Sequence, residues 1–306
     1  MKWSYDSIPD VKGKVIIVTG SNSGIGFHKA RYLAKHNALV VMGVRSLDRG
    51  KTAADKILKE FPYADIDILQ LDLGDSSSIK NFSTEFHKKY DRLDVLVNNA
   101  GIMTTPYNPT KDGFESQIGV NHFGHFLLTS LLFDLLKKTP SSRIVNTASI
   151  AHRFGKLKKE TFMYEEGRKY NKSTAYAQSK LANLLFTYKL ASLVEEHNLD
   201  IKVTASHPGI SQTDLGRHLR DNWFMNFMMW FIGFARQTGE KGSLPGLRAS
   251  TDSNVKNGEY YGPRGLYNTK GFPNLQKPKK KAHNKTLQDL LWDESIRLTN
   301  TTFDFK

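Results

Sequence analysis

From Lys14 to His207, short runs of β-branched apolar residues alternate with longer segments whose apolar positions recur at helical spacing. That is the pattern of repeated βα units around a parallel sheet. Strands are predicted at Val15–Thr19, Leu39–Val44, Ile66–Leu71, Val95–Asn98, Arg143–Thr147 and Ile201–Ser206, and their near-continuous hydrophobicity predicts burial on both faces. Helices are predicted over Ile25–His36, Leu47–Glu60 and Ser77–Tyr90, with two longer ones over Phe114–Leu136 and Thr174–His197. Asp75 stands at an N-cap position ahead of Ile79, Phe82 and Phe86.

After His207 the alternation stops. The stretch Thr213–Ala235 carries large apolar residues from Trp223 to Phe234, interrupted by Asn226, and falls short of the roughly 20 apolar residues that cross a bilayer. A lid or a sticky surface is expected there. Gly239–Ala249 reads as a helix, Tyr260–Tyr261 as a short strand and Leu287–Leu298 as a final helix packed on the body. The class predicted is α/β, a doubly wound parallel sheet in one domain over 1–306. Its cofactor and catalytic core is placed at 12–210, a substrate lid at 211–255 and a C-terminal extension at 256–306.

Composition narrows the chemistry. The chain has no cysteine, which excludes disulfides, thiolate metal sites and cysteine nucleophiles. The start, Met1 to Lys14, is polar and broken by Pro9, so a cytoplasmic protein is expected. Sequons at Asn81, Asn171, Asn284 and Asn300 are given no weight on that expectation. The 44 Lys and Arg against 30 Asp and Glu give a net charge of +14, clustered only at Lys277, Lys279, Lys280, Lys281 and Lys285. No aromatic residues interleave with those lysines, so nucleic acid is not expected and a solvated, proline-broken loop is.

The first strand runs through Thr19-Gly20-Ser21-Asn22-Ser23-Gly24-Ile25-Gly26 into a helix. Gly20 permits a tight turn, Gly24 lets backbone approach a pyrophosphate, and Gly26 lets helix and strand pack closely. The helix N-terminus then faces the anion with unpaired N–H groups. At the end of the second strand, Val41-Met42-Gly43-Val44-Arg45-Ser46 offers no acid for a ribose 2′-hydroxyl, whereas Arg45 suits a 2′-phosphate. NADP(H) is therefore favoured over NAD(H), with Asp48 keeping the alternative open.

Tyr176-Ala177-Gln178-Ser179-Lys180 sets a phenol and an ammonium one turn apart on a helix. Chance alone supplies about one Tyr-x-x-x-Lys in this composition. A second copy, Tyr107 to Lys111, is interrupted by Pro109 and preceded by Pro106, so only the first holds helical geometry. Carbonyl reduction by hydride needs a proton for the new oxygen, and Lys180 together with an oxidised nicotinamide ring is expected to lower the phenol's pKa from ~10 toward neutrality. His122 and His125 have a spacing seen in metal sites, but no acidic partners accompany them, so no metal is expected.

With these residues in place, the chain resembles the short-chain dehydrogenase/reductase family, and within it the retinol-dehydrogenase-like branch, over nearly its whole length. The resemblance implies a Rossmann fold and assigns Thr19 to Gly26 to nucleotide binding and Asp72-Leu73 to the adenine. It implies that Asn98-Asn99-Ala100-Gly101 is the turn beside the cofactor, with Asn99, Ala100 and Gly101 in contact with it. It makes Asn121 a helix-bending residue that supports the proton relay, Ser149 the residue that orients the substrate carbonyl, and Tyr176 and Lys180 the proton donor and its partner. Lys180 and Tyr176 also face the nicotinamide ribose side, while Pro208, Gly209, Ile210 and Thr213 match the segment that holds the carboxamide. The branch commonly has two serines where this chain has Ala148-Ser149, so the second one is kept.

The activity expected is NADP(H)-dependent oxidoreduction of a lipophilic aldehyde, ketone or alcohol. Two other readings stand beside it: a non-catalytic NADP(H)-binding regulatory or scaffold protein, and weak peripheral membrane contact through Trp223–Phe234 and the lysine cluster. The resemblance also implies homo-oligomers formed through the two long helices, faces that the extended C-terminus is placed to cover.

Overall fold

The computed structural model describes residues 2–210, 237–265 and 268–306. Eight strands form one sheet in the order β3-β2-β1-β4-β5-β6-β7-β8. They are β1 Val15–Thr19, β2 Leu39–Val44, β3 Asp65–Gln70, β4 Val95–Asn98, β5 Ser142–Thr147, β6 Ile201–Ser206, β7 Tyr260–Pro263 and β8 Pro273–Leu275. All neighbours are parallel except β8, which runs antiparallel to β7. The order reverses between β1 and β4, so the carboxyl ends of these two strands open the crevice where α/β sheets bind ligands.

Strand residues alternate between two buried layers. Ile17, Val41, Leu96, Ile144 and Val203 face Phe82, Phe86, Phe126 and Phe186 on one side. Ile16, Val18, Val40, Met42 and Val97 face Ala30, Leu33, Ile57 and Leu247 on the other. The first layer is carried by α3 (Ser76–Lys89), α5 (Gly124–Leu131) and α7 (Lys172–Glu196); the second by α1 (Gly24–Lys35), α2 (Leu47–Glu60) and α8 (Gly239–Thr251). α8 falls inside the range assigned to the lid, yet it packs Leu247 in this second layer. Polar caps set the helix starts: Asp75 accepts Ser77 N and Ser78 N, and Asn171 accepts Ser173 N and Thr174 N.

Three expectations are corrected. The segment Phe114–Leu136 is not one helix but α4 (Ser116–Ile118), a π-turn at Gly119–Phe123, α5, and α6 (Phe133–Lys138). The extra residue per turn brings Gly124 against the Leu73 carbonyl and Gly119 against Thr110, approaches that a Cβ would prevent. β3 is not buried on both faces: only Leu69 is, because β3 ends the sheet. The strand at Tyr260 continues to Pro263 and is followed by β8, which begins at Pro273, a residue that strand ends accept because it donates no ladder hydrogen bond.

The lysine cluster is only partly a loop. Lys280–His283 makes a short 3-10 turn, and Lys281 donates to the carbonyls of Arg153 and Gly155. The final helix, α9 (Lys285–Thr299), lays Trp292 against Phe126 and Phe186, and Phe303 completes the cluster with ring centroids 5.2 Å from Phe126 and 4.9 Å from Trp292. Among the described residues no helix is long and apolar enough to cross a membrane. Removing the Phe303 ring empties the seam between α9 and the body, so Phe303→Ala is expected to cost about 3 kcal/mol in urea unfolding.

Candidate active site

The sharp turn after β1 is built by residues that only glycine can replace. Gly20 has φ +65° and Gly24 has φ +56°. A Cβ at Gly20 would lie 2.9 Å from Ala100 Cα, and one at Gly26 would strike the Gly20 carbonyl and lie 2.5 Å from Asn99 Nδ2. Asn22, Ser23 and Gly24 are partly accessible at the N-terminus of α1, while Ser21, Ile25 and Gly26 are buried beneath them. Ser21 Oγ is buried without a partner among the described residues. Open N–H groups, a cradle that a Cβ would fill and an unpaired hydroxyl fit a dinucleotide pyrophosphate.

Thr19 fixes this turn to the one after β4. Its Oγ1 accepts from Asn99 N and Ala100 N, each at 2.9 Å, and meets His125 Nε2 at 2.9 Å. Asn99 Nδ2 donates to Thr19 O at 2.8 Å, while Asn98 Nδ2 donates to Asn146 Oδ1 at 2.9 Å and Thr129 Oγ1 at 3.1 Å. Asp72 closes a turn by accepting Gly74 N at 2.9 Å, with Leu73 buried beside it. Arg45 is exposed at the end of β2, and its guanidinium makes no ion pair with a described residue.

Asn121 sits in the π-turn and is fully buried. Its side chain accepts Ile102 N at 2.8 Å and donates to Ile102 O at 3.0 Å and Ser179 Oγ at 2.9 Å. A Cβ on Gly101 would lie 3.0 Å from Asn121 Oδ1 and 3.4 Å from Lys180 Nζ, so one glycine separates the two. Lys180 Nζ donates to Thr147 O at 3.1 Å, and burial holds its pKa down at about 8. Ser149, just past β5, accepts Ala151 N at 3.2 Å through its hydroxyl oxygen, which leaves its own proton to donate.

Tyr176 lies one turn before Lys180, with Nζ 5.8 Å from the ring centroid. From the protein's own groups its pKa moves up: burial raises it and a hydrogen bond with Ser149 opposes. Burial is the larger of the two causes, and Lys180 Nζ nearby donates to Thr147 O. The Tyr107–Lys111 copy is not helical; Lys111 pairs with Asp75.

Pro208, Gly209 and Ile210 follow β6 toward the same end of the sheet. Gly209 has φ +68°, its N–H donates to His207 Nδ1 at 3.2 Å, and Ile210 N donates to Thr269 O at 2.8 Å. Gln237 clasps the turn from outside, donating through Nε2 to Pro208 O at 2.6 Å and through N to Ile210 O at 2.9 Å. Thr213 and the apolar stretch Trp223–Phe234 lie outside the described residues.

Several residues here carry no signal in the sequence. Lys29 and Gln237 belong to no motif, and Asn183, which donates to Thr147 O at 2.9 Å, is one more polar residue on a long helix. His122 and His125 are core residues: His122 Nε2 meets Ser295 Oγ at 2.8 Å and His125 Nε2 meets Thr19, while Nδ1 of His125 lies 3.1 Å from Asn121 O. Ser179 was legible only as a member of the Tyr176–Lys180 segment.

A glycine-lined anion cradle at the switch point of a parallel sheet, with serine, tyrosine and lysine gathered at the next strand end, defines a class of nicotinamide-dependent oxidoreductase. The family profile described as short chain dehydrogenase matches residues 14–223. The chain belongs to that family, whose members act on alcohol and carbonyl groups. It is 36% identical to retinol dehydrogenase 11 of Homo sapiens over 301 residues, 97% of this chain and 89% of that one. It is 39% identical to retinol dehydrogenase 14 of Mus musculus over 264 residues, 82% and 78% of the two chains. Among solved structures, an uncharacterized protein from Mycobacterium Paratuberculosis superposes with a TM-score of 0.82 at 33% identity, covering 99% of this chain and all of that one. A protein from Beutenbergia cavernae, assigned as an NAD(P) dependent gluconate 5-dehydrogenase with NADP bound at low occupancy, gives 0.66 at 27% identity over 82% of this chain and 95% of that one. These comparisons place the chain in the retinol-dehydrogenase-like branch.

Four histidines around the site are buried and held neutral. Burial pushes His122, His125 and His207 down to about 3 and His152 to about 4. The unfolded chain therefore binds more protons below pH 6.5, so stability is full above that value and falls with acid, by up to about 1.4 kcal/mol per histidine per pH unit. Urea midpoints measured at pH 7.5, 6 and 5 are expected to drop progressively, and His122→Gln is expected to make that decline shallower.

Proposed function

We propose that the protein is an NADP(H)-dependent oxidoreductase that interconverts a lipophilic aldehyde or ketone with its alcohol, using Tyr176 as general acid–base. The observation that carries this reading is the meeting of Tyr176, Ser149 and Lys180 around the end of β5, beside the glycine cradle. Gly20 to Gly26, Asp72, Leu73 and Asn99 to Gly101 would hold the dinucleotide, with Pro208 to Ile210 at its far end. Bound there, the cofactor supplies or accepts the hydride.

The protein's own groups handle the oxygen. Ser149 Oγ accepts from Ala151 N, which leaves its O–H available to the phenol or to a substrate oxygen. A Tyr176 kept protonated by burial is a donor at neutral pH, which suits the reduction of a carbonyl, where the forming alkoxide takes the proton. Lys180, anchored on Thr147 O, places a positive charge beside the phenolate that this transfer leaves. Asn121 fixes the backbone around Ile102 and the Ser179 hydroxyl next to that pair.

NADP(H) is supported by the exposed, unpaired Arg45 and by the lack of an acid from Val41 to Ser46. Relatives named for retinol support a long apolar substrate. In an NADPH oxidation assay over an aldehyde panel that includes retinaldehyde, Tyr176→Phe is expected to lower kcat by about 10²–10⁴-fold while NADPH affinity is kept. Undiminished turnover in that variant would overturn the assignment. Arg45→Ala is expected to raise the KM for NADPH by about 10–100-fold, the worth of a charged hydrogen bond, with the KM for NADH unchanged. An equal change for both cofactors would assign Arg45 no part in recognising a 2′-phosphate.

A further inference from the structure

Lysines ordinarily keep their ammonium in water because moving a charge out of solvent is costly. Lys29, on the second turn of α1, does not: it is 2% exposed. Its chain end is pressed against Gly246 of α8, where an added Cβ would lie 2.7 Å from Nζ. Nζ donates to Asn99 Oδ1 at 3.1 Å and to Thr147 Oγ1 at 3.4 Å. Among the described residues no carboxylate pairs with it. Glu60 of α2 and Glu240 of α8 are engaged by Arg31, Glu240 also by Tyr32, and Asp252 by Arg248. Arg143 of β5 donates to the carbonyls of Ala249 and Asp252, and His28, the neighbour on α1, is under the field of Glu240 and Arg31. Burial first, and then the ammonium of Lys180, the charge that acts on it among the described residues, bring Lys29 down to about 7.

The two acceptors lead in two directions. Asn99, held at Oδ1, keeps Nδ2 on Thr19 O and against Gly26, under the phosphate loop. Thr147, held at Oγ1, presents its carbonyl to Lys180 and Asn183. A neutral amine has two N–H groups for these two acceptors. An ammonium has a third, for which the described residues offer no acceptor, and it repels Lys180.

We propose that Lys29 is a positioning residue of the hydride-transfer site: from beneath the sheet it locks Asn99 under the cofactor cradle and Thr147 under Lys180, and its protonation loosens both. The proposal rests on the reading of Tyr176 and Lys180 as the proton-handling pair, and the tests separate the two.

NADPH alone is titrated into the full-length protein at pH 8. Lys29→Met fills the same channel without a donor and is expected to weaken NADPH binding about fivefold or more, because the side-chain oxygen of Asn99 loses the donor that holds it. In aldehyde reduction, kcat of the native protein is expected to rise through a step near pH 7, where Lys29 loses its proton, and Lys29→Met is expected to lack that step. Thr147→Val removes the other acceptor, and combined with Lys29→Met it is expected to lower kcat by less than the product of the single effects. Native NADPH affinity in Lys29→Met, a retained step near pH 7, or strictly multiplicative effects would each overturn the proposal. Full activity of Tyr176→Phe would remove the proton-donor reading, while NADPH binding still decides the role of Lys29.

Discussion

The backbone carbonyl of Thr147 is the point on which the rest of the site depends. It ends β5 with no further strand residue to take its hydrogen bonds, and it accepts from Lys180 Nζ at 3.1 Å and Asn183 Nδ2 at 2.9 Å. A buried carbonyl must be paired, and pairing it with a lysine fixes the one cation of α7 that lies inside the molecule. Tyr176 is then located by helix geometry alone, one turn earlier. Ser149, two residues beyond Thr147, is brought to the phenol by the same strand end. Strand, helix and the Ser149–Tyr176 pair are thus a single connected unit.

A second unit mirrors it at β1. The hydroxyl of Thr19 gathers Asn99 N, Ala100 N and His125 Nε2, so the glycine turn and the β4 turn cannot move independently. His125 is useful there only as a neutral ring, and its burial keeps it so. The cradle's shape is therefore set by polar groups behind it as much as by the glycines in front. Lys29 lies between the two units, bonded to Asn99 on one side and Thr147 on the other.

What the sequence made legible follows from range. The six strands from Val15 to Ser206 are written in local period, because all but the edge strand β3 sit between two apolar layers and the helices that cover them carry apolar stripes. The Gly20–Gly26 turn was legible because backbone conformation restricts residue type. The broken helix at Gly119–Phe123 was not legible in the periodicity, only in the resemblance that makes Asn121 a helix-bending residue; the close approaches of Gly119 to Thr110 and of Gly124 to Leu73 are distant in the chain and near only in space. β8 was missed because a three-residue edge strand starting with proline has no period to read. Lys29 was invisible for a deeper reason: composition rules put lysine in water, and only the packing of Gly246 on its stem shows otherwise.

The upward shift of Tyr176 changes how its partnership with Lys180 is to be understood. A phenol buried beside a serine is stable as a neutral acid, and an ammonium 5.8 Å from its ring, committed to a carbonyl, leaves that ground state largely alone. Under the proposed reading, the ammonium acts mainly after the proton departs, when a negative oxygen appears nearby. Interactions that strengthen as charge develops speed a reaction, whereas those equally present at the start do not. An already ionised tyrosine would have to be reprotonated before each reduction, so burial that keeps it neutral and a lysine that waits for its anion work in the same direction.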